Sequence, residues 1–82
     1  MSEQRQTNHV DEFLKLSARE VEVLEHLVQG LSNKQIAAVL FLSPRTVEKH
    51  RASIHRKMGT HSLAVLTRMW LDHSSAIEPA AA

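Results

Sequence analysis

Three helix-start signals crowd into residues 17–44, and that crowding limits what the chain can fold into. Ser17-Ala-Arg-Glu20 and Ser32-Asn-Lys-Gln35 are both capping boxes. In each, the serine oxygen can take the N3 amide while the N3 side chain reaches back to the serine N–H. Ser43-Pro44 is the third start, a serine N-cap followed by proline at the first helical position, where its missing N–H costs nothing. Gly30 stops the first helix and Gly59 the third, since glycine takes the left-handed conformation of a C-terminal cap. Only Phe41 and Leu42 are left between the second and third helices. Two helices joined by so tight an apolar turn form a helix-turn-helix, with the turn residues packed into the angle between them.

Apolar spacing assigns each helix a buried side. The first, from about Ser17 to Gln29, presents Val21, Leu24, Leu27 and Val28 with Val23 alongside; the second presents Ile36, Ala37, Val39 and Leu40. The third, residues 44–58, carries a core stripe of Val47, Ile54 and Met58 flanked by His50. Opposite lie Arg45, Lys49, Ala52 and Arg56, with Thr46, Glu48 and Ser53 on the shoulders. The fourth, residues 62–73, is apolar around most of its circumference. Leu63, Leu66 and Trp70 share one arc, Val65 and Met69 the next, and Ala64 and Leu71 the far flank. Such a helix needs burial on two sides, which either a second subunit or a core wrapped over by Phe13 and Leu14 supplies. The expected architecture is an all-α, compact four-helix bundle containing a helix-turn-helix over residues 16–73. A flexible arm or linker remnant (residues 1–15) precedes it and a short disordered tail (residues 74–82) follows.

Composition narrows the chemistry. The chain has 82 residues, which supports one small domain and is a poor host for a large cleft. No cysteine is present, which removes disulfides, thiolate metal sites and cysteine nucleophiles. No apolar run is long enough to span a bilayer, and the polar start MSEQRQTNHVDE is no signal peptide, so a cytoplasmic protein without membrane contact is expected. The net charge of +1 conceals a strong segregation. Residues 31–61 hold Lys34, Arg45, Lys49, Arg51, Arg56 and Lys57 against the single acid Glu48, a balance of +5; the remainder carries −4. A basic half of this kind suits a phosphate-bearing partner. Surface helices that are merely soluble more often mix glutamate with lysine at i,i+4 spacing.

Four blocks carry a resemblance: LSAREVEVL (16–24), GLSNKQIA (30–37), LSPRTVEKH (42–50) and IHRKMG (54–59). Together they closely resemble the LuxR-type helix-turn-helix domain, and SPRTVEKHR is especially similar to the FixJ/NarL branch of bacterial response regulators. The resemblance covers roughly residues 16–72 and implies a compact four-helix domain. In that family the third helix enters the DNA major groove and the fourth commonly mediates dimerisation on a two-half-site operator. Carried over, it implies that Asn33 and Lys34 lie near the DNA backbone, where a helix N-terminus favours phosphate. Ser43 and Thr46 resemble phosphate-positioning hydroxyls. Lys49 and Ala52 match base-facing positions, bracketed by Arg45 and Arg56. His50 is either a wedge between core and backbone or a phosphate contact. Arg51 is expected to neutralise phosphate, with Lys57 a positioning residue at the edge. Val65, Met69 and Leu71 are the expected dimer contacts. Many relatives carry lysine where this chain has Glu48, which either accepts from a cytosine amino group or pairs with a neighbouring arginine. Thr60 stands where relatives often have an apolar residue, which weakens the expected packing between the third and fourth helices.

The implied partners are duplex DNA, a second copy of the chain and, as a further candidate, RNA polymerase; no cofactor or metal is implied. The resemblance also implies a preceding phosphoacceptor domain of a two-component system, so the chain is either an excised effector domain or a stand-alone member. Two rival readings share the fold: a sigma-factor-type region, which needs no self-dimer, and a protein-interaction module that does not use DNA. An enzyme has least support. His50, His55 and His61 are five and six residues apart, off any one helix face, and neither H-E-x-x-H nor a glycine-rich phosphate loop occurs.

Overall fold

The computed structural model describes residues 10–77. It contains α1 (Val10–Phe13), α2 (Ala18–Leu27), α3 (Asn33–Leu40), α4 (Pro44–Met58) and α5 (Leu63–Ile77), with no strand among the described residues. Both capping boxes form as their sequences require. Ser17 Oγ accepts from Glu20 N at 3.1 Å while Glu20 Oε1 accepts from Ser17 N at 2.9 Å. Ser32 and Gln35 repeat the exchange at 3.1 and 2.8 Å. Ser43 Oγ caps α4 by accepting from Thr46 N, with Pro44 opening the helix. Gly59 closes α4 at φ 75°, its N–H donating to His55 O.

The central element is α4, against which α2 and α3 both pack. Its core stripe of Val47, Ile54 and Met58 meets Val23, Leu24 and Leu27 of α2, Ile36 and Ala37 of α3, and Leu66 of α5, in one buried cluster. Removing these side chains from water is the main force holding so short a chain together. Phe13 and Leu16 belong to the same cluster. The boundary expected between residues 15 and 16 therefore falls inside the packed unit, and α1 gives the N-terminal segment one helical turn of its own. Phe13 meets Trp70 edge-on at 5.5 Å between ring centroids and lies 4.5 Å from His73, which ties the start of the domain to α5. At the other end α5 runs on to Ile77, so residues 74–77, expected in the tail, are helical. Residues 78–82 and the first nine of the expected arm lie outside the described residues.

Two apolar side chains depart from the expected pattern. Val39 is half exposed, so the buried side of α3 narrows to Ile36 and Ala37 with Leu40 at its margin. In the turn, only Leu42 packs against the core. Phe41 is 93% exposed and sits in the left-handed region at φ 59°, where its N–H donates to Ala37 O and closes α3. The cap geometry turns its side chain outward. An L-residue in this conformation is strained by roughly 1–2 kcal/mol, and glycine is not. Phe41→Gly is accordingly expected to stabilise the fold by about 0.5–1 kcal/mol, after allowance for the greater freedom of glycine in the unfolded chain. A chemical denaturation midpoint that falls would show that Phe41 makes a stabilising contact after all.

The α4–α5 junction is held by hydrogen bonds where an apolar residue was missing. His55 Nδ1–H donates to Thr60 O at 2.8 Å, and Thr60 Oγ1 accepts from Ser62 N at 3.0 Å. Ser62 Oγ in turn accepts from Val65 N in the first turn of α5. Thr60 thus shapes the turn that positions α5.

Candidate nucleic-acid interface

Four side chains of α4 face away from the core together. At about 100° per residue, Arg45, Lys49, Ala52 and Arg56 fall within about 60° of arc, and all four are exposed. Glu48 is exposed beside them. The stripe exists because the same helix buries Val47, Ile54 and Met58 on its other side, which fixes its rotation about its own axis. Ala52 leaves the middle of the stripe low, flanked by long cationic arms. Lys34, at the start of α3, is exposed too.

Other basic and polar residues singled out in the sequence are engaged within the fold. Lys57 turns inward: its Nζ donates to Glu20 Oε1 at 2.9 Å, in an ion pair whose carboxylate is almost fully buried. Ser53 Oγ donates to Glu20 Oε2 at 2.6 Å, and Arg56 Nη2 donates to Ser53 Oγ at 3.3 Å. One carboxylate from α2 therefore holds two residues of α4, Ser53 and Lys57, behind the outward stripe. Arg51 Nη1 donates to Asn33 Oδ1 at 2.7 Å, so these two hold the start of α3 against the middle of α4. Ser43 and Thr46 share a hydrogen bond between their hydroxyls at 3.0 Å at the N-terminus of α4. His50 is half buried at the margin of the core stripe.

The burial of Glu20 and its bond to Ser53 were not legible in the sequence. The capping box accounts for Glu20 Oε1 locally, but nothing in the spacing announces that Lys57, more than thirty residues on, shares that oxygen and that Ser53 takes the other. Burial alone would raise the Glu20 pKa. The hydrogen bonds from Lys57, Ser53 and the Ser17 backbone, with the charge of Lys57, outweigh it and bring the carboxyl to about 2.

The family model described as GerE, bacterial regulatory proteins of the luxR family, matches residues 14–70. The chain belongs to this family. It is 57% identical over 56 residues to the transcriptional regulatory protein FixJ of Azorhizobium caulinodans, covering 68% of this chain and 26% of that protein. It is 44% identical over 66 residues to the nitrate/nitrite response regulator protein NarP of Escherichia coli K12, covering 80% and 31%. Full-length FixJ from B. japonicum, a solved structure, superposes with a TM-score of 0.72 at 42% identity, over 79% of this chain and 32% of that one. The chain thus spans less than a third of the length of these relatives. As a luxR-family helix-turn-helix unit it is a DNA-binding domain of the kind found in bacterial regulatory proteins.

The fourth helix of the sequence reading, here α5, does not present its three expected dimer residues on one face. Met69 packs against the core with Leu66 and Trp70. Leu71 and Val65 are both about half exposed but stand on opposite flanks, with the Arg68–Asp72 pair at 4.0 Å between them. Ala64 and Leu63 continue the Leu71 flank. No described helix is long and apolar enough to cross a membrane.

Proposed function

We propose that the domain binds operator DNA with α4 in the major groove, as a cytoplasmic dimer on two half-sites. The exposed Arg45–Lys49–Ala52–Arg56 stripe carries this reading: its width and its charge suit a groove walled by phosphates. Lys49 and Arg45 then read base edges across the low point at Ala52, while Arg56 and Lys34 neutralise phosphate. Ser43, Thr46 and the N-terminus of α4 approach the backbone, with His50 behind them. Asn33 and Arg51 act mainly by holding the angle between α3 and α4, and Lys57 by anchoring α4 to α2. In a longer regulator a preceding domain would gate access to this surface, and RNA polymerase is a partner for the assembled complex.

Selection of bound sequences from a random duplex pool tests the reading. Two half-sites in inverted or direct repeat are expected; failure to enrich any sequence, even at low salt, would overturn it. For the dimer we propose the Leu63–Ala64–Leu71 flank of α5 as the contact, because it is the apolar side that the core leaves open. Leu71→Asp is expected to shift sedimentation equilibrium to the monomer, and Val65→Asp to leave the dimer intact. The opposite pattern would move the interface to the other flank.

A further inference from the structure

Glu48 is the one acid between residues 31 and 61, and it stands on the exposed side of the helix that carries the cationic stripe. The sequence left it two uses, an ion pair with a neighbouring arginine or a contact with a base. Among the described residues the ion pair does not form: Glu48 makes no salt bridge within 4.0 Å. The arginines nearest to it in sequence are otherwise disposed. Arg51, three residues on, donates to Asn33 at 2.7 Å, and Arg45, three residues back, points outward in the stripe. Four residues on, the same face carries the small, exposed Ala52. Against phosphates alone, an acid here is repelled, so its contribution has to come from a hydrogen-bond donor on the DNA.

The major groove shows donors in two places only, the N4 amino group of cytosine and the N6 amino group of adenine. Adenine sets its N7 acceptor beside its amino group, which repels a carboxylate. Cytosine presents the amino group without an acceptor of its own in the groove. On the reading that α4 enters the major groove, we infer that Glu48 is a specificity-determining residue that accepts from cytosine N4 at one position of each half-site. It makes cytosine there preferred over thymine, whose O4 acceptor would face the carboxylate oxygen.

Parallel selections with wild type, Glu48→Ala and Glu48→Gln test this, because a side chain that is exposed and makes no ion pair among the described residues can be replaced without disturbing the fold. Wild type is expected to enrich cytosine at one position per half-site, and a cytosine-to-thymine change there to weaken binding roughly tenfold. Glu48→Ala is expected to keep the rest of the consensus and lose that one preference. Glu48→Gln is expected to move it toward adenine, whose N6 and N7 a carboxamide can engage together. The inference is overturned if all three proteins enrich the same base at every position. If wild type itself enriches nothing, the operator-binding reading fails and this inference falls with it, an outcome distinct from the first.

Discussion

Replacing Lys49 and Arg56 together by alanine is expected to weaken binding to duplex DNA about 100-fold near 0.15 M salt, and to lower the slope of log K against log salt by about two. The physical reason is counterion release. Each cation that meets the DNA displaces a condensed counterion, so losing two removes both their attraction and their share of the salt dependence. Both side chains are exposed on α4, and among the described residues the only side-chain bond lost is the 3.3 Å contact of Arg56 with Ser53. Thermal unfolding should hardly move, which separates a loss of contact from a loss of fold. Fluorescence anisotropy titrations on an enriched duplex, at several salt concentrations, give the slope and the affinity together. An unchanged affinity would favour the protein-interaction module considered from the sequence, or place the DNA-binding surface elsewhere.

Lys57→Met should have a large effect of the opposite kind, on stability and not on salt dependence. It leaves the buried Glu20 carboxylate with Ser53 and the Ser17 amide but without its counter-charge. Removing one partner of a buried ion pair costs about 3 kcal/mol or more, because the other charge stays desolvated. In a domain of this size that lowers the thermal midpoint by roughly 15 °C. Replacing both members, Glu20→Leu with Lys57→Met, should recover much of the loss, since two apolar side chains carry no desolvation penalty. If the single substitution changed the midpoint by only a degree or two, the pair would be no more than a surface contact.

The same carboxyl sets an acid limit. Its pKa is lowered from 4.5 to about 2 in the folded state. Between those values the unfolded chain binds the proton and the folded chain does not, so stability rises with pH. The contribution is fully present above pH 4.5 and is lost as pH falls toward 2, on the order of 3 kcal/mol in all. Urea unfolding across that window should show this loss in wild type and a flatter profile in Glu20→Gln.

Much of the molecule was legible because its signals are local. A serine three residues before a glutamate or glutamine dictates an N-cap whatever surrounds it, and both boxes close as the sequence implied. The core stripe of α4 and the stripe opposite it follow from helical periodicity alone, which needs no knowledge of the neighbouring helices. Phe41 was misplaced by a different competition. Apolar character argued for burial, but closing α3 within a two-residue turn demanded a left-handed residue, and the backbone requirement prevailed.

What the sequence determined by itself, then, was where helices begin, which side of each is apolar, and that the positive charge is concentrated in residues 31–61. Which of those charges face outward was decided only by the tertiary structure. Lys57 and Arg56 are adjacent on one basic helix, yet Lys57 is drawn in by Glu20 from α2 while Arg56 remains exposed. Arg51 is held by Asn33 from α3, and among the described residues Glu48 pairs with no arginine. Charge density is a property of a segment, whereas pairing depends on side chains that folding brings in from distant parts of the chain. No periodicity within one helix contains that information.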